Sequence, residues 1–178
     1  MGQTLIFPGQ GSQAVGMGRD LAQNYAEARA VFDAVDEALG QKLSGLMWDG
    51  PEDELTLTEN AQPALMAVSM AVVRVLEARG YSTASKASYL AGHSLGEYAA
   101  LTAGGALKLE DTARLLKLRG QAMQRAVPVG VGAMAALLGL DFDAVIEIAA
   151  DASGAGEIVG AANDNANGQV VVSGHATA

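Results

Sequence analysis

A serine with glycines on both sides lies in residues 92–96, which read G-H-S-L-G. An apolar run precedes this segment and a helical pattern follows it, so Ser94 is predicted to lie on a sharp turn between a strand and a helix. A serine in such a turn takes strained backbone angles, and glycines two residues away avoid clashes. Its hydroxyl lies at a helix start, where backbone N–H groups stabilise an oxyanion. The pattern indicates a nucleophilic serine; the alternative is a glycine-rich turn capped by a serine.

A second glycine-containing loop, residues 7–13 with the sequence F-P-G-Q-G-S-Q, follows an apolar run at residues 4–7. It lacks the G-K-[ST] ending of a phosphate-binding loop and is not G-x-G-x-x-G. In acyl-transfer enzymes a strand-end loop of this kind supplies the second oxyanion donor, which is paired with the N–H that follows the nucleophile. The segment alone favours an ordinary turn.

An arginine lies among apolar residues in the predicted helix 110–126. On a 3.6-residue wheel, Arg119 falls in the middle of the apolar face, between Leu115 and Met123. A guanidinium keeps its charge, and burying it without a partner is costly. Arg119 is therefore expected to bind an anion. That anion is either an Asp or Glu of this chain or a carboxylate carried by a substrate, held by two parallel hydrogen bonds.

Short apolar runs that alternate with helical patterns predict an α/β fold that positions these residues. The expected elements of the larger unit are strands at 4–7 and 88–91 and helices at 21–39, about 61–79, 95–102 and 110–126. A smaller β-α-β-β unit is expected after residue 127, with strands at 133–140, 157–162 and 169–173 and a helix at 142–150. This unit stops on a strand although a sheet face needs an outer helix, so the chain is expected to be cut short.

Composition excludes several classes of function. The net charge of -9 without a basic run argues against nucleic-acid binding. The absence of cysteine excludes disulfides, thiolate metal sites and a cysteine nucleophile, and two histidines make a histidine metal centre improbable. No signal peptide is evident, and the apolar stretch 64–76 is too short to span a bilayer. A soluble cytoplasmic protein is expected.

Four segments together resemble a known enzyme family. Residues 7–13 and 92–98 resemble the two signature segments of malonyl-CoA:acyl carrier protein transacylases, and residues 62–65 (Q-P-A-L) and 118–123 (L-R-G-Q-A-M) match two further stretches in the same order. The resemblance implies an α/β-hydrolase-like core with an inserted ferredoxin-like subdomain. Residues 1–127 would be the N-terminal part of the core, and residues 128–178 an incomplete ferredoxin-like subdomain.

The same resemblance implies roles for individual residues. Ser94 would be the nucleophile, and the backbone N–H groups of Gln10 and Leu95 would form the oxyanion hole. Arg119 would hold the free carboxylate of malonyl, and Gln62 and Met123 would contact the substrate. The implied activity moves malonyl from coenzyme A to the phosphopantetheine thiol of acyl carrier protein, through an ester on Ser94, in fatty acid biosynthesis. No metal and no cofactor beyond the coenzyme A thioester substrate are expected.

A serine nucleophile also needs a general base. His93 is adjacent to Ser94 and is expected to point elsewhere, and His175 follows the last strand of the small unit. In the family the base is a histidine from a later segment, which would lie past Ala178. Residues 1–178 alone are therefore expected to be inactive, and the missing C-terminal segment or another copy is an expected partner.

The charge of the chain also bears on its carrier partner. Acyl carrier proteins are typically acidic, as is this chain, so a local basic patch such as Arg114, Lys117 and Arg125 would have to steer the encounter. Two alternatives to the transferase stay open, namely a serine esterase on the same core and a non-catalytic binding module. Against the esterase, a buried Arg119 favours an acyl group that carries a carboxylate.

Overall fold

The protein has a mixed α/β fold in two compact units, residues 1–123 and 124–178. A computed structural model describes residues 2–127 and 130–178, apart from the side chain of Ala84. The sequence placed the division after Val127. Pro128, which together with Gly130 was expected to end the preceding helix, lies outside the described residues, as does Val129.

The first unit consists of two strands and eight helices among its described residues, the last of which continues into the second unit. These elements are β1 (Gln3–Phe7), α1 (Arg19–Asn24), α2 (Ala26–Leu39), α3 (Leu43–Asp49), α4 (Glu52–Thr56), α5 (Thr58–Ala78), α6 (Thr83–Lys86), β2 (Ala87–Gly92), α7 (Leu95–Ala103) and α8 (Leu109–Ala126).

The two strands of this unit pair in parallel, with Phe7 opposite Gly92. Because parallel strands point the same way, the loops that follow both strands leave from the same edge. The backbone N–H of His93 donates to the carbonyl oxygen of Phe7 at 3.1 Å, which extends the pairing one residue further. The two glycine-containing segments are thus neighbours in space.

Helix α5 lies at the centre of the hydrophobic core. Met66 and Met70 are fully buried on it, and they belong to the same cluster as Phe32 and Val35 of α2. By length and composition alone α5 could cross a bilayer, because it is longer than the apolar stretch 64–76. However, 61% of its most apolar window is buried within the protein, as in the core helix of a globular fold.

Several boundaries differ from those predicted. The helix expected at 21–39 is two helices, because Tyr25 takes an extended conformation with φ −137° and ψ 116°. Helix α5 begins at Thr58 and continues through Pro63, where it lacks one backbone hydrogen bond. Gly80 follows its C-terminus with φ +83°, as the sequence predicted. Helices α3, α4 and α6 were not predicted.

The second unit is a three-stranded antiparallel sheet with one helix. Its elements are β3 (Gly132–Leu138), α9 (Phe142–Ala152), β4 (Val159–Ala166) and β5 (Gln169–His175), and the strand order is β3-β5-β4. Asp141 caps α9 by accepting a 2.8 Å hydrogen bond from the backbone N–H of Ala144. Strand β4 runs longer than predicted because the two-residue turn Asn167-Gly168 lets the hairpin pair to its end.

Candidate active site

Ser94 lies between β2 and α7 in a strained backbone conformation, with φ 55° and ψ −114°. A side chain on Gly92 would collide with the backbone of Gly96, and one on Gly96 would collide with the carbonyl oxygen of Phe7 and lie 2.8 Å from that of Pro8. Only glycine fits at these two positions. The turn therefore has the sharp geometry that the sequence predicted, and Ser94 is exposed at the start of a helix.

The loop after β1 packs against the serine turn. A Cβ on Gly9 would lie 2.5 Å from Nδ1 of His93, so the backbone approaches the imidazole closely. Gly11 has φ +121°, and its N–H donates to Oε1 of Gln13 at 2.9 Å. Between these glycines lies the exposed Gln10. Leu95 is the first residue of α7, where a backbone N–H has no intrahelical partner.

Arg119 reaches the serine from α8. Its Nη2 donates to Oγ of Ser94 at 3.0 Å, and its Nη1 donates to Oε1 of Gln62 at 2.7 Å. The buried Gln62 in turn donates from Nε2 to Sδ of Met123 at 3.3 Å. Four of the predicted site residues thus form one chain of hydrogen bonds.

The surroundings of Arg119 differ from the prediction. Helix α8 buries Thr112, Ala113, Leu116 and Gly120, whereas Leu115, Leu118 and Met123, on the predicted apolar face, are exposed. The small residues let α8 lie close to its neighbours, and the larger apolar ones remain at the rim. Arg119 is accordingly half-buried. Within the described residues it forms no ion pair, and its hydrogen-bond partners are neutral.

Tyr98 was not predicted to be a site residue. Its ring centroid lies 5.9 Å from the guanidinium carbon of Arg119, close enough for a cation–π contact. Tyr98 follows Ser94 by four residues on α7, so one helical turn of spacing could have indicated that both side chains share a face.

A polar cluster next to Arg119 was also missed. The carboxylate of Glu59 lies 3.2 Å from Nζ of Lys117 and accepts a hydrogen bond from Nε2 of Gln121 at 3.1 Å. Partial burial raises the pKa of Glu59, but hydrogen bonds from Gln121 and Lys117 and the charge of Lys117 outweigh it, so the pKa lies below its ordinary value. The i, i+4 spacing of Lys117 and Gln121 is visible in the sequence, but their partner is not.

The two histidines lie in different units. The ring of His93 faces Gly9 in the first loop. His175 belongs to β5, where its Nδ1 accepts a 2.9 Å hydrogen bond from the backbone N–H of Ile158, just before β4. This contact ties the ring to its own sheet. That neither serves as general base stays a prediction.

Comparison with known proteins identifies the family. The model of the acyl transferase domain family matches residues 4–178, so the chain belongs to this family. It is 46% identical over 171 residues to a malonyl CoA-acyl carrier protein transacylase of Bacillus subtilis, covering 96% of this chain and 53% of that protein. The resemblance found in the four sequence segments is confirmed.

Solved structures give the same result. An acyl-carrier-protein-S-malonyltransferase from Bartonella henselae is 56% identical with a TM-score of 0.93, and the match covers 99% of this chain and 56% of that one. A malonyl-transacylase in complex with a type II PKS acyl-carrier protein is 41% identical with a TM-score of 0.90, covering 99% and 56%. The chain spans about half the length of the relatives it matches.

Proposed function

We propose that the protein carrying this chain transfers malonyl from coenzyme A to the phosphopantetheine thiol of acyl carrier protein in fatty acid biosynthesis. The single observation that carries the proposal is the 3.0 Å hydrogen bond from Arg119 to Oγ of Ser94. It holds a permanent cation within reach of an exposed serine in a strained turn at a helix start. The names of the similar proteins support the same activity.

In the first half-reaction Oγ of Ser94 attacks the thioester carbonyl carbon of malonyl-CoA. The backbone N–H groups of Gln10 and Leu95 stabilise the resulting oxyanion, the C–S bond breaks, and coenzyme A leaves as a thiol with the serine proton. In the second half-reaction the carrier thiol attacks the ester, the C–O bond to Ser94 breaks, and the thiol proton passes to Oγ, which restores the serine hydroxyl. The general base is a histidine that the family supplies from a segment after residue 178.

Arg119 is the residue that selects a carboxylated acyl group. In the free site its Nη2 donates to a neutral hydroxyl, that of Ser94. A carboxylate is a stronger acceptor and can take two parallel hydrogen bonds from one guanidinium. Malonyl binding would therefore draw Arg119 from Ser94 and leave Oγ free to attack. Gln62 holds the other side of the guanidinium, Met123 holds Gln62, and both line the acyl site.

The finer fold assignment follows from the same proposal. The first unit is the N-terminal part of an α/β-hydrolase-like core, supported by the parallel strands and the serine turn between β2 and α7. The second is the incomplete ferredoxin-like subdomain, supported by its β-α-β-β order and antiparallel sheet. The protein acts in the cytoplasm and needs no cofactor besides its substrate.

Mass spectrometry of the complete protein tests the proposal. Incubation with malonyl-CoA should add one malonyl group, and Ser94→Ala should abolish the adduct. Acyl carrier protein should then remove the group from the serine and become malonylated itself. An adduct that persists in Ser94→Ala places the nucleophile elsewhere. Loss of the adduct to water alone indicates the serine esterase, and no adduct at all indicates the non-catalytic binding module.

A further inference from the structure

The helices that carry Gln62 and Arg119 lie in close contact at Gly120. A Cβ on Gly120 of α8 would collide with Cα of Glu59 and lie 2.7 Å from the carbonyl oxygen of Thr58, both on α5. Since any side chain at this point would separate the helices, the contact fixes where α8 rests on α5. Arg119 is the residue immediately before the contact.

Hydrogen bonds join α8 to α5 on both sides of this contact. With about 100° of rotation per residue, Lys117 and Gln121 lie on one side of Gly120, and Arg119 and Met123 lie on the other. The first pair binds Glu59, at 3.2 and 3.1 Å. The second pair binds Gln62, at 2.7 and 3.3 Å. Loss of the hydrogen bonds on one side would let α8 rotate about the contact and would displace the residues on the other side.

The side of the contact that holds Glu59 is the stronger restraint. Nζ of Lys117 also donates to Oδ1 of Asn60 at 2.9 Å and to Oε1 of Gln41 at 3.0 Å. The side chains of Lys117 and Glu59 are only 21% and 27% exposed, so their ion pair is less screened than one in open solvent. Because the acceptors come from two different segments, Lys117 has little freedom to move.

We infer that Glu59 is a positioning residue for Arg119. By binding Lys117 and Gln121, Glu59 sets the rotation of α8 about its axis, and this rotation places the guanidinium beside Ser94 and Gln62. The inference rests on the proposed function, because the positioned guanidinium is the one that binds the acyl carboxylate. Glu59 does not touch the substrate. It affects selectivity for a carboxylated acyl group through α8.

The test uses Glu59→Gln in the complete protein, which keeps a side chain of the same shape but removes the charge. The kcat/KM for malonyl-CoA should fall about tenfold, because a misplaced positioning group costs that much or more. That for acetyl-CoA, which has no free carboxylate, should stay within about twofold. We call the kcat/KM for malonyl-CoA divided by that for acetyl-CoA the malonyl-to-acetyl ratio. Lys117→Met should lower this ratio by the same factor as Glu59→Gln, and the double variant should lower it little further than either single variant.

Asp33→Asn is the matched control. It breaks the Arg29–Asp33 ion pair, an exposed pair on α2 with side chains 54% and 55% exposed. Its malonyl-to-acetyl ratio should equal that of the unsubstituted protein. The Tm of every variant, measured by thermal unfolding, shows how much each substitution changes the stability of the protein.

The outcomes separate this inference from the proposed function. If the malonyl-to-acetyl ratio is unchanged in Glu59→Gln but falls in Arg119→Ala, Glu59 has no positioning role and the proposed transferase function stands. Equal loss with both substrates and a lower Tm shows that Glu59 is only structural, which also overturns it. An unsubstituted protein without malonyl transfer contradicts the proposed function itself, and the inference with it.

Discussion

The guanidinium of Arg119 has two hydrogen-bond partners, and the partner it can exchange is the serine hydroxyl. Gln62 is buried and held by Met123, so its Oε1 stays in place as a fixed acceptor. Ser94 is exposed and lies at the open side of the site. On the proposed function, an incoming carboxylate would compete with the hydroxyl and leave the amide in place. Substrate selection and release of the nucleophile would then be one event.

Replacing Arg119 by Ala should lower kcat/KM for malonyl-CoA strongly while sparing or raising that for acetyl-CoA. Losing a charged hydrogen-bonding partner of this kind costs about 2–5 kcal/mol, so the preference should change by tens-fold or more. Arg119→Lys should be intermediate, because an ammonium group cannot bind Gln62 and a carboxylate with one planar fork. Steady-state rates with both thioesters measure the change. A parallel decline for the two substrates, together with a lower Tm, would make Arg119 a structural residue.

The charge of Glu59 predicts a pH dependence of stability. Its pKa in the folded protein lies below the ordinary value of 4.5. A carboxyl group with a depressed pKa stabilises the fold above the unfolded pKa, and this contribution is lost as the pH falls through the folded pKa. The difference in unfolding free energy between the unsubstituted protein and Glu59→Gln should thus be constant near pH 7 and shrink below pH 4.5. Denaturant titrations across this range measure it, and a difference that grows on acidification would contradict the prediction.

At the scale of elements, the close contact between α8 and α5 should not tolerate a side chain. Gly120→Ala places a methyl group against the backbone of Glu59 and 2.7 Å from the carbonyl oxygen of Thr58, and neither group can rotate away. Overpacking of this kind costs about 1–3 kcal/mol. We expect a lower Tm together with a reduced malonyl-to-acetyl ratio. Gly45→Ala is a control on α3, where the nearest atom to the new methyl group would be 3.9 Å away. A malonyl-to-acetyl ratio in Gly120→Ala equal to that of the unsubstituted protein would show that the helix contact does not position Arg119.

The elements on either side of Ser94 were predicted well from the sequence. Strand β2 and helix α7 begin and end within one residue of their predicted bounds, because the glycines around Ser94 mark the turn between them. Helices α3, α4 and α6 have seven residues or fewer, which is too short for a helical period to be visible. For α8 the wheel showed which residues share a face. It could not show that Gly120 and its small neighbours, rather than the leucines, pack inward.

At the scale of the molecule, each unit leaves apolar surface uncovered. In the first unit Ile6 and Tyr89, on the paired strands β1 and β2, are 77% and 73% exposed. In the second unit Met134 and Leu138 of β3 are 62% and 70% exposed. Sheet residues of this kind are normally covered by a further layer. The uncovered surfaces fit a chain that spans about half the length of its relatives.

Residues 1–178 expressed alone should therefore show no malonyl transfer. On the proposed mechanism Ser94 would lack its general base, a histidine from a later segment, and losing a general base costs about 10²–10⁴-fold in rate. The exposed strands should also make the fragment associate with itself or with the remaining segment. Transfer assays and sizing of the fragment, with and without the separately expressed remainder, measure both effects. Full activity from a soluble monomer would mean that His93 or His175 acts as the base, and a base from a later segment would be ruled out.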